Sequence, residues 1–183
     1  MIEIRFPDQS VRSYLEGTTP FEVAQSISEG LARNVLSAKF NKQTVEASTP
    51  LQEDGEIQLF TWNDKEGKTA FWHSSAHVLA QALLALYPDC KLTIGPAIEN
   101  GFYYDADFGE HSLTEKDLIA IEKKMLEFAR QKFEFKMRSS SKAAALDYYK
   151  KENNPYKVEL IENLEDGTIT FCDHADFTDL CRG

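Results

Sequence analysis

The sequence has no run of 18 or more apolar residues, so nothing in it reads as a transmembrane helix. It has no glycine-rich phosphate loop and no dinucleotide-binding fingerprint, which leaves nucleotide chemistry without a cradle. Cysteine is scarce. Cys90, Cys172 and Cys181 are too few and too scattered for a disulfide framework, which points to a reducing, cytoplasmic setting. The opening "MIEIRFPDQS" alternates and carries charge, unlike a secretory leader. Positive charge is in short supply, with a formal net of −10. Taken in bulk, that disfavours a nucleic-acid partner. Residues 122–142 run the other way, with seven Lys/Arg against three Glu. A solvated helix face is the usual meaning of such a run, and a phosphate-binding ridge is the sharper one. No internal repeat or low-complexity segment is present.

What is there suffices for folding. Apolar residues make up 42% of 183, enough for one large domain or two small ones. Residues 1–62 read as a small unit. "MIEIRF" alternates as a half-buried strand, "PDQS" is turn chemistry and "VRSYLEG" completes a hairpin. In "TTPFEVAQSISEG", Thr19 caps a helix, Pro20 takes its first position, Glu22 closes a capping box and Gly30 stops it. "VLSAKFNKQTV" and "EIQLFTW" supply further strands. This order suggests a β-grasp-like, ubiquitin-like α+β module.

"NDKEGK", residues 63–68, is the expected linker, and residues 69–183 the second, larger α+β domain. "FWHSSAHVLAQALLALYPDC" reads as an apolar helix ended by Pro88. "KLTIGPAIENGFYYDADF" follows as short strands broken by turns. Thr114 caps a second helix, with Leu118, Ile121, Met125 and Phe128 on its apolar face. A third helix is expected near residues 142–151. The remainder, from Tyr156 onward, reads as strands around a Glu-Asp-Gly turn.

His73 and His77 stand one turn apart on one helix face. Taken alone, His-x-x-x-His is most often two histidines with ordinary partners. A zinc protease needs Glu beside the first His, where this chain has Ser74. A metal can still take both rings and a thiolate, with Cys181 the candidate third ligand and the "CDH" pair Cys172 and His174 a looser one. Lys157, between Tyr156 and Val158, reads as a solvent-facing strand lysine. Asp179 reads as a turn residue, and "GFYYD" as aromatic core.

"WHSSAHVLAQAL", "IGPAIENGFYYD", "NPYKVELI" and "FTDLCRG" occur in the order and approximate spacing of bacterial threonyl-tRNA synthetases, and "FPDQS" with "TTPFEVAQSIS" resembles the TGS module that opens them. The resemblance covers essentially the whole chain. Editing domains of alanyl-tRNA synthetases share the paired histidines and late cysteine but not "NGFYYD" or the TGS start.

The resemblance implies a TGS domain followed by an editing domain that hydrolyses mischarged seryl-tRNA(Thr). His73, His77 and Lys157 are implied to handle the proton and the water. Asp179 is implied to hold the substrate's ammonium or hydroxyl, Tyr104 to line the serine pocket, and Cys181 to act as wall and size gate. No metal is expected, although His73, His77 and Cys181 are the ligands if zinc binds, as in the alanyl-type deacylases. A non-catalytic module binding tRNA or amino acid is the other alternative. The family pattern continues into a fourth histidine beyond Gly183, so the region as given is expected to lack it. ATP, Mg2+ and a core zinc belong to an aminoacylation core not represented here, and no aminoacylation is expected from this piece. The partner implied is the acceptor end of tRNA(Thr). The piece is expected to be monomeric and the parent a homodimer, in the cytoplasm.

Overall fold

Ile2 and Ile4 alternate with Glu3 and Arg5, and the pattern is realised as strand β1 (Ile2–Arg5), with both isoleucines buried and both charges exposed. The computed structural model describes residues 1–181. β1 turns back into β2 (Val11–Tyr14). Helices α1 (Pro20–Ile27) and α2 (Glu29–Ala32) follow, then β3 (Ser37–Phe40), β4 (Gln43–Glu46) and β5 (Gly55–Phe60). The sheet order is β2-β1-β5-β3-β4, with β1 and β5 parallel and the other pairs antiparallel. The central parallel pair needs a long crossover, and the segment from α1 to β4 supplies it. That is a β-grasp arrangement. Ile2, Ile4, Val23, Ala38, Phe40, Leu51 and Ile57 form its core.

The Thr19–Glu22 capping box is present, with Glu22 Oε2 accepting from Thr19 N at 2.8 Å and Thr19 Oγ1 accepting from Glu22 N at 3.2 Å. The helix does not run to Gly30, however. Ser28 accepts from Leu31 N and restarts the chain as α2, so Gly30 lies inside a helix rather than after one.

The chain forms two compact units, Met1–Trp72 and His73–Gly183. Helix α3 (Lys65–Leu86) begins in the first and continues in the second. The segment 63–68, expected as a linker, therefore carries the first turn of a helix. The reason is local: Asp64 Oδ2 accepts from Thr61 N and Oγ1, closing a tight turn, and Lys68 N bonds Asp64 O.

In the second unit, β6 (Lys91–Leu92) pairs with β9 (Ala106–Asp107), and β7 (Ala97–Ile98) with β8 (Gly101–Phe102). Then come α4 (Glu115–Gln131), β10 (Phe135–Ser140), α5 (Lys142–Lys151), α6 (Pro155–Glu162), β11 (Ile169–His174) and β12 (Phe177–Cys181). The last two strands join β10 in the antiparallel order β10-β11-β12. Ala80, Ala82, Leu83, Leu92, Ile121 and Phe177 form one core. Ala145, Tyr149, Ile161, Ile169 and Phe171 form another.

Three expectations are corrected here. Leu118 is 57% exposed, not core. Asp117, one turn before Ile121, faces inward instead and accepts from the Tyr87 hydroxyl at 2.7 Å. Lys157 lies in helix α6, not in a strand. Asn154 as cap and Pro155 at the first position outweigh the alternation of Tyr156, Val158 and Leu160. The Glu165-Asp166-Gly167 turn joins a helix to a strand, and the strand-to-strand turn is Ala175–Asp176, where Ala175 takes φ 56°.

Ile4 is fully buried at the centre of the first core. Replacing it with Ala is expected to cost about 2–5 kcal/mol, read from urea unfolding. A loss below about 1 kcal/mol would contradict this packing.

Candidate active site

Four residues of α-helix rise about 6 Å, and two residues of strand advance about 6.8 Å. A helix residue every four and a strand residue every two can therefore stay in step over a short distance. The second unit uses this match. His77 and Gln81, on α3, follow His73 at four-residue steps. Phe177, Asp179 and Cys181 share one face of β12, beside Cys172 and His174 of β11. His73 meets Cys181, His77 meets Asp179, and Gln81 meets His174.

Asp179 is the hub. It is 1% exposed. Lys157 Nζ donates to its Oδ1 at 2.7 Å, while Tyr104 OH at 2.6 Å and His77 Nδ1 at 3.0 Å reach Oδ2. Lys157 Nζ also donates to the Tyr104 oxygen at 3.0 Å. A carboxylate only accepts, so His77 Nδ1 carries a proton, and in the neutral ring its Nε2 presents a lone pair. His73 Nε2 lies 3.1 Å from that nitrogen and 3.1 Å from Cys181 Sγ.

Burial alone would raise the Asp179 carboxyl. The charge of Lys157 and the bond to His77 more than offset it and hold the group at about 2. Burial, and then the neighbouring His77, push His73 below the usual histidine range, which keeps its ring neutral near pH 7. Burial and the Asp179 charge push the Tyr104 hydroxyl well above its ordinary value, so it remains a donor.

The six residues given roles by the resemblance, His73, His77, Tyr104, Lys157, Asp179 and Cys181, lie in this one network. Asp179, expected to grip the substrate, has both oxygens engaged by protein groups. Lys157, read as solvent-facing, is 2% exposed. Cys172 and His174 are not part of the donor group formed by His73, His77 and Cys181. His174 Nδ1 is 2.7 Å from Gln81 Oε1, and its ring stacks on Phe135 with centroids 4.4 Å apart.

Three contributors escaped the sequence reading. Asn154 accepts from Lys157 N at 3.1 Å and donates to Leu92 O at 2.8 Å. Asn-Pro ahead of an apolar run signalled this cap, but the alternation masked it. Gly95 passes so close to Tyr104 that a Cβ would stand 2.1 Å from the ring. Nothing local in "IGPA" predicts that approach. Tyr149 is buried next to the network, and burial, then the Asp179 charge, push its hydroxyl well above its ordinary value.

His73, His77 and Cys181 place one nitrogen each and a sulfur within 4.8 Å of one another. Zinc binds nitrogen at about 2.0–2.1 Å and sulfur at about 2.3 Å, so two imidazoles and a thiolate at these separations fit that ion. Among the described residues no other such group occurs. The basic stretch 122–142 is partly consumed internally. Lys124 pairs with Glu127 and Arg138 with Asp173, each at 2.6 Å, and Lys142 donates to the carbonyls of Glu162 and Leu164. An open groove of about 670 Å³ on the first unit, lined by Glu3, Arg5, Asn41, Lys42, Asp54 and Glu56, contains none of the network residues.

A carboxyl lowered by folding stabilises the fold above its ordinary value, and that contribution is lost as pH falls toward about 2. The urea midpoint is therefore expected to drop between about pH 4 and pH 2. Asp179→Asn is expected to flatten that drop, while leaving Lys157 unpaired at a cost of about 3–5 kcal/mol near pH 7. An unchanged acid slope in the variant would refute the role given to Asp179.

Residues 2–61 match the TGS domain. Across 183 residues the chain is 63% identical to a threonine–tRNA ligase of Flavobacterium johnsoniae, 61% to that of Flavobacterium psychrophilum and 54% to that of Cytophaga hutchinsonii. Each match covers 100% of this chain and 28% of the relative, so the chain spans little more than a quarter of the length of these relatives. With the β-grasp unit at its start, the chain carries a TGS domain and is similar along its full length to the N-terminal region of bacterial threonine–tRNA ligases.

Proposed function

We propose that the second unit hydrolyses seryl-tRNA(Thr), clearing serine wrongly attached by a threonine–tRNA ligase. The observation that carries this reading is the line from buried Asp179 and His77 to half-buried His73, flanked by the Lys157 ammonium. Serine lacks one methyl of threonine, worth only about 1–3 kcal/mol in a pocket. A synthetic site cannot reject it well enough, and a second, smaller site can. Tyr104 and Cys181 are suited to wall such a site, where the extra methyl clashes.

The reaction is attack of water on the aminoacyl ester. His73, neutral at working pH, takes the proton of the attacking water. Its Nε2–H faces the His77 Nε2 lone pair, and His77 Nδ1–H faces Asp179, so the positive charge that develops is spread along a line ending in a carboxylate. Lys157 spends two N–H bonds on Asp179 and Tyr104. Its third N–H remains for the water or the developing oxyanion. The bond from the carbonyl carbon to the ribose oxygen breaks. That oxygen leaves with the proton returned from the relay, giving serine and deacylated tRNA. Asp179 acts by holding Lys157, Tyr104 and His77 in place.

The donor set His73, His77 and Cys181 favours one second reading, a zinc-dependent deacylase of the alanyl type. A zinc there would polarise the ester or a bound water. Stoichiometric zinc and loss of deacylation on chelation would establish that route over the metal-free one. The whole polypeptide is proposed to be an ATP-dependent threonine–tRNA ligase in the cytoplasm, with Mg2+, a core zinc and dimerisation belonging to its other parts. No helix of the described residues is long and apolar enough to cross a membrane.

In the full-length chain, His73→Ala and Lys157→Ala are each expected to slow deacylation of seryl-tRNA(Thr) by about 10²-fold or more. Threonyl-tRNA(Thr) is expected to persist with the unmutated chain. Persistence of the seryl ester with the unmutated chain would leave a binding module instead, and undiminished clearance by both variants would make these two residues structural.

A further inference from the structure

We infer that Asn154 is a positioning residue that sets where the Lys157 ammonium sits. The inference rests on the reading of Lys157 given above and goes beyond it. Lys157 is the third residue of α6, a helix of eight residues. A cation there faces the positive end of the helix dipole, and its burial adds a desolvation cost. A short helix carrying such a group in its first turn tends to fray there unless it is pinned.

Asn154 pins it at three atoms. Its backbone N–H donates to Tyr149 O at 3.0 Å, tying it to the end of α5. Its Oδ1 accepts from Lys157 N at 3.1 Å, and its Nδ2 donates to Leu92 O at 2.8 Å. The side chain is buried, so water does not replace either bond cheaply. Leu92 in turn pairs with Ala106 on β9, two residues beyond Tyr104. One amide thus joins the turn that carries Lys157 to the ladder that Tyr104 leads into, and these two side chains meet at 3.0 Å over Asp179. An ordinary cap needs only an acceptor. The second bond, across 62 residues, is what a cap alone does not require.

Asn154→Asp keeps the acceptor and removes the N–H given to Leu92. It is to be compared with Asn154→Ser, a shorter cap, and with Lys157→Ala. The readouts are thermal midpoint, kcat and KM for seryl-tRNA deacylation by the full-length chain, and the ¹⁵Nζ resonance of Lys157 in the 183-residue chain. At a temperature where the variant is folded, Asn154→Asp is expected to lower kcat about 10-fold or more. KM is expected to stay within about twofold, and the Lys157 Nζ signal to shift or broaden. A folded Asn154→Asp with unchanged kcat and an unchanged Nζ signal would overturn the inference and leave Asn154 a cap. Should Lys157→Ala leave deacylation intact, the role proposed for Lys157 fails, and the Nζ signal alone then decides the positioning claim. If Asn154→Asp does not fold, the same readouts on Asn154→Ser decide it.

Discussion

The second unit is organised around one buried carboxylate. Asp179 carries three hydrogen bonds, from Lys157, Tyr104 and His77, and each donor comes from a different part of the chain. The arrangement is costly to desolvate and costlier to leave half made. That asymmetry is what makes it specific. Lys157 without Asp179 is a buried unpaired cation in the first turn of a helix, and His77 without Asp179 loses the group that sets which nitrogen carries its proton. Helix α3, the β6–β9 ladder, α6 and β12 must all be placed together for any of the three bonds to form.

The step-match between α3 and the β11–β12 hairpin extends that constraint into a line. His73 with Cys181, His77 with Asp179 and Gln81 with His174 are successive rungs. The middle rung holds charge, the outer rung sets an imidazole beside a sulfur, and the inner rung is a neutral amide–imidazole pair locked under Phe135. One geometry thus yields an anchored end and a reactive end. A relay is useful for water attack on an ester only if its far end is fixed, and here the fixed end is deep in the fold.

Much of this was legible from residue types. The alternation of β1, the Thr19–Glu22 box and the four-residue spacing of His73 and His77 are local rules obeyed locally. The β-grasp class followed from element order. The second unit yielded less because its decisive contacts are long-range. "NPYKVEL" carries two competing periods, and the Asn-Pro cap won over the alternation because it satisfies the first helical N–H groups. Leu118 fits the apolar stripe, yet Asp117 took the inward place because Tyr87 offered it a donor. Gly95 reads as a turn glycine, and only the Tyr104 ring nearby shows why a side chain is excluded. Which residues would share the site was visible through resemblance. That Asp179 would be its hub was not, since a carboxylate in "FTDLC" says nothing about three donors 22 to 102 residues away.

The central claim is that Asp179 sets the tautomer of His77 and so aims a lone pair at His73. Long-range ¹H–¹⁵N correlation of the imidazole rings near pH 7 reads this directly. The account predicts a protonated Nδ1 and a lone-pair Nε2 on His77, with that pattern lost in Asp179→Asn. A proton resident on Nε2 with Nδ1 bare would contradict it, and with it the relay from His73 to the carboxylate.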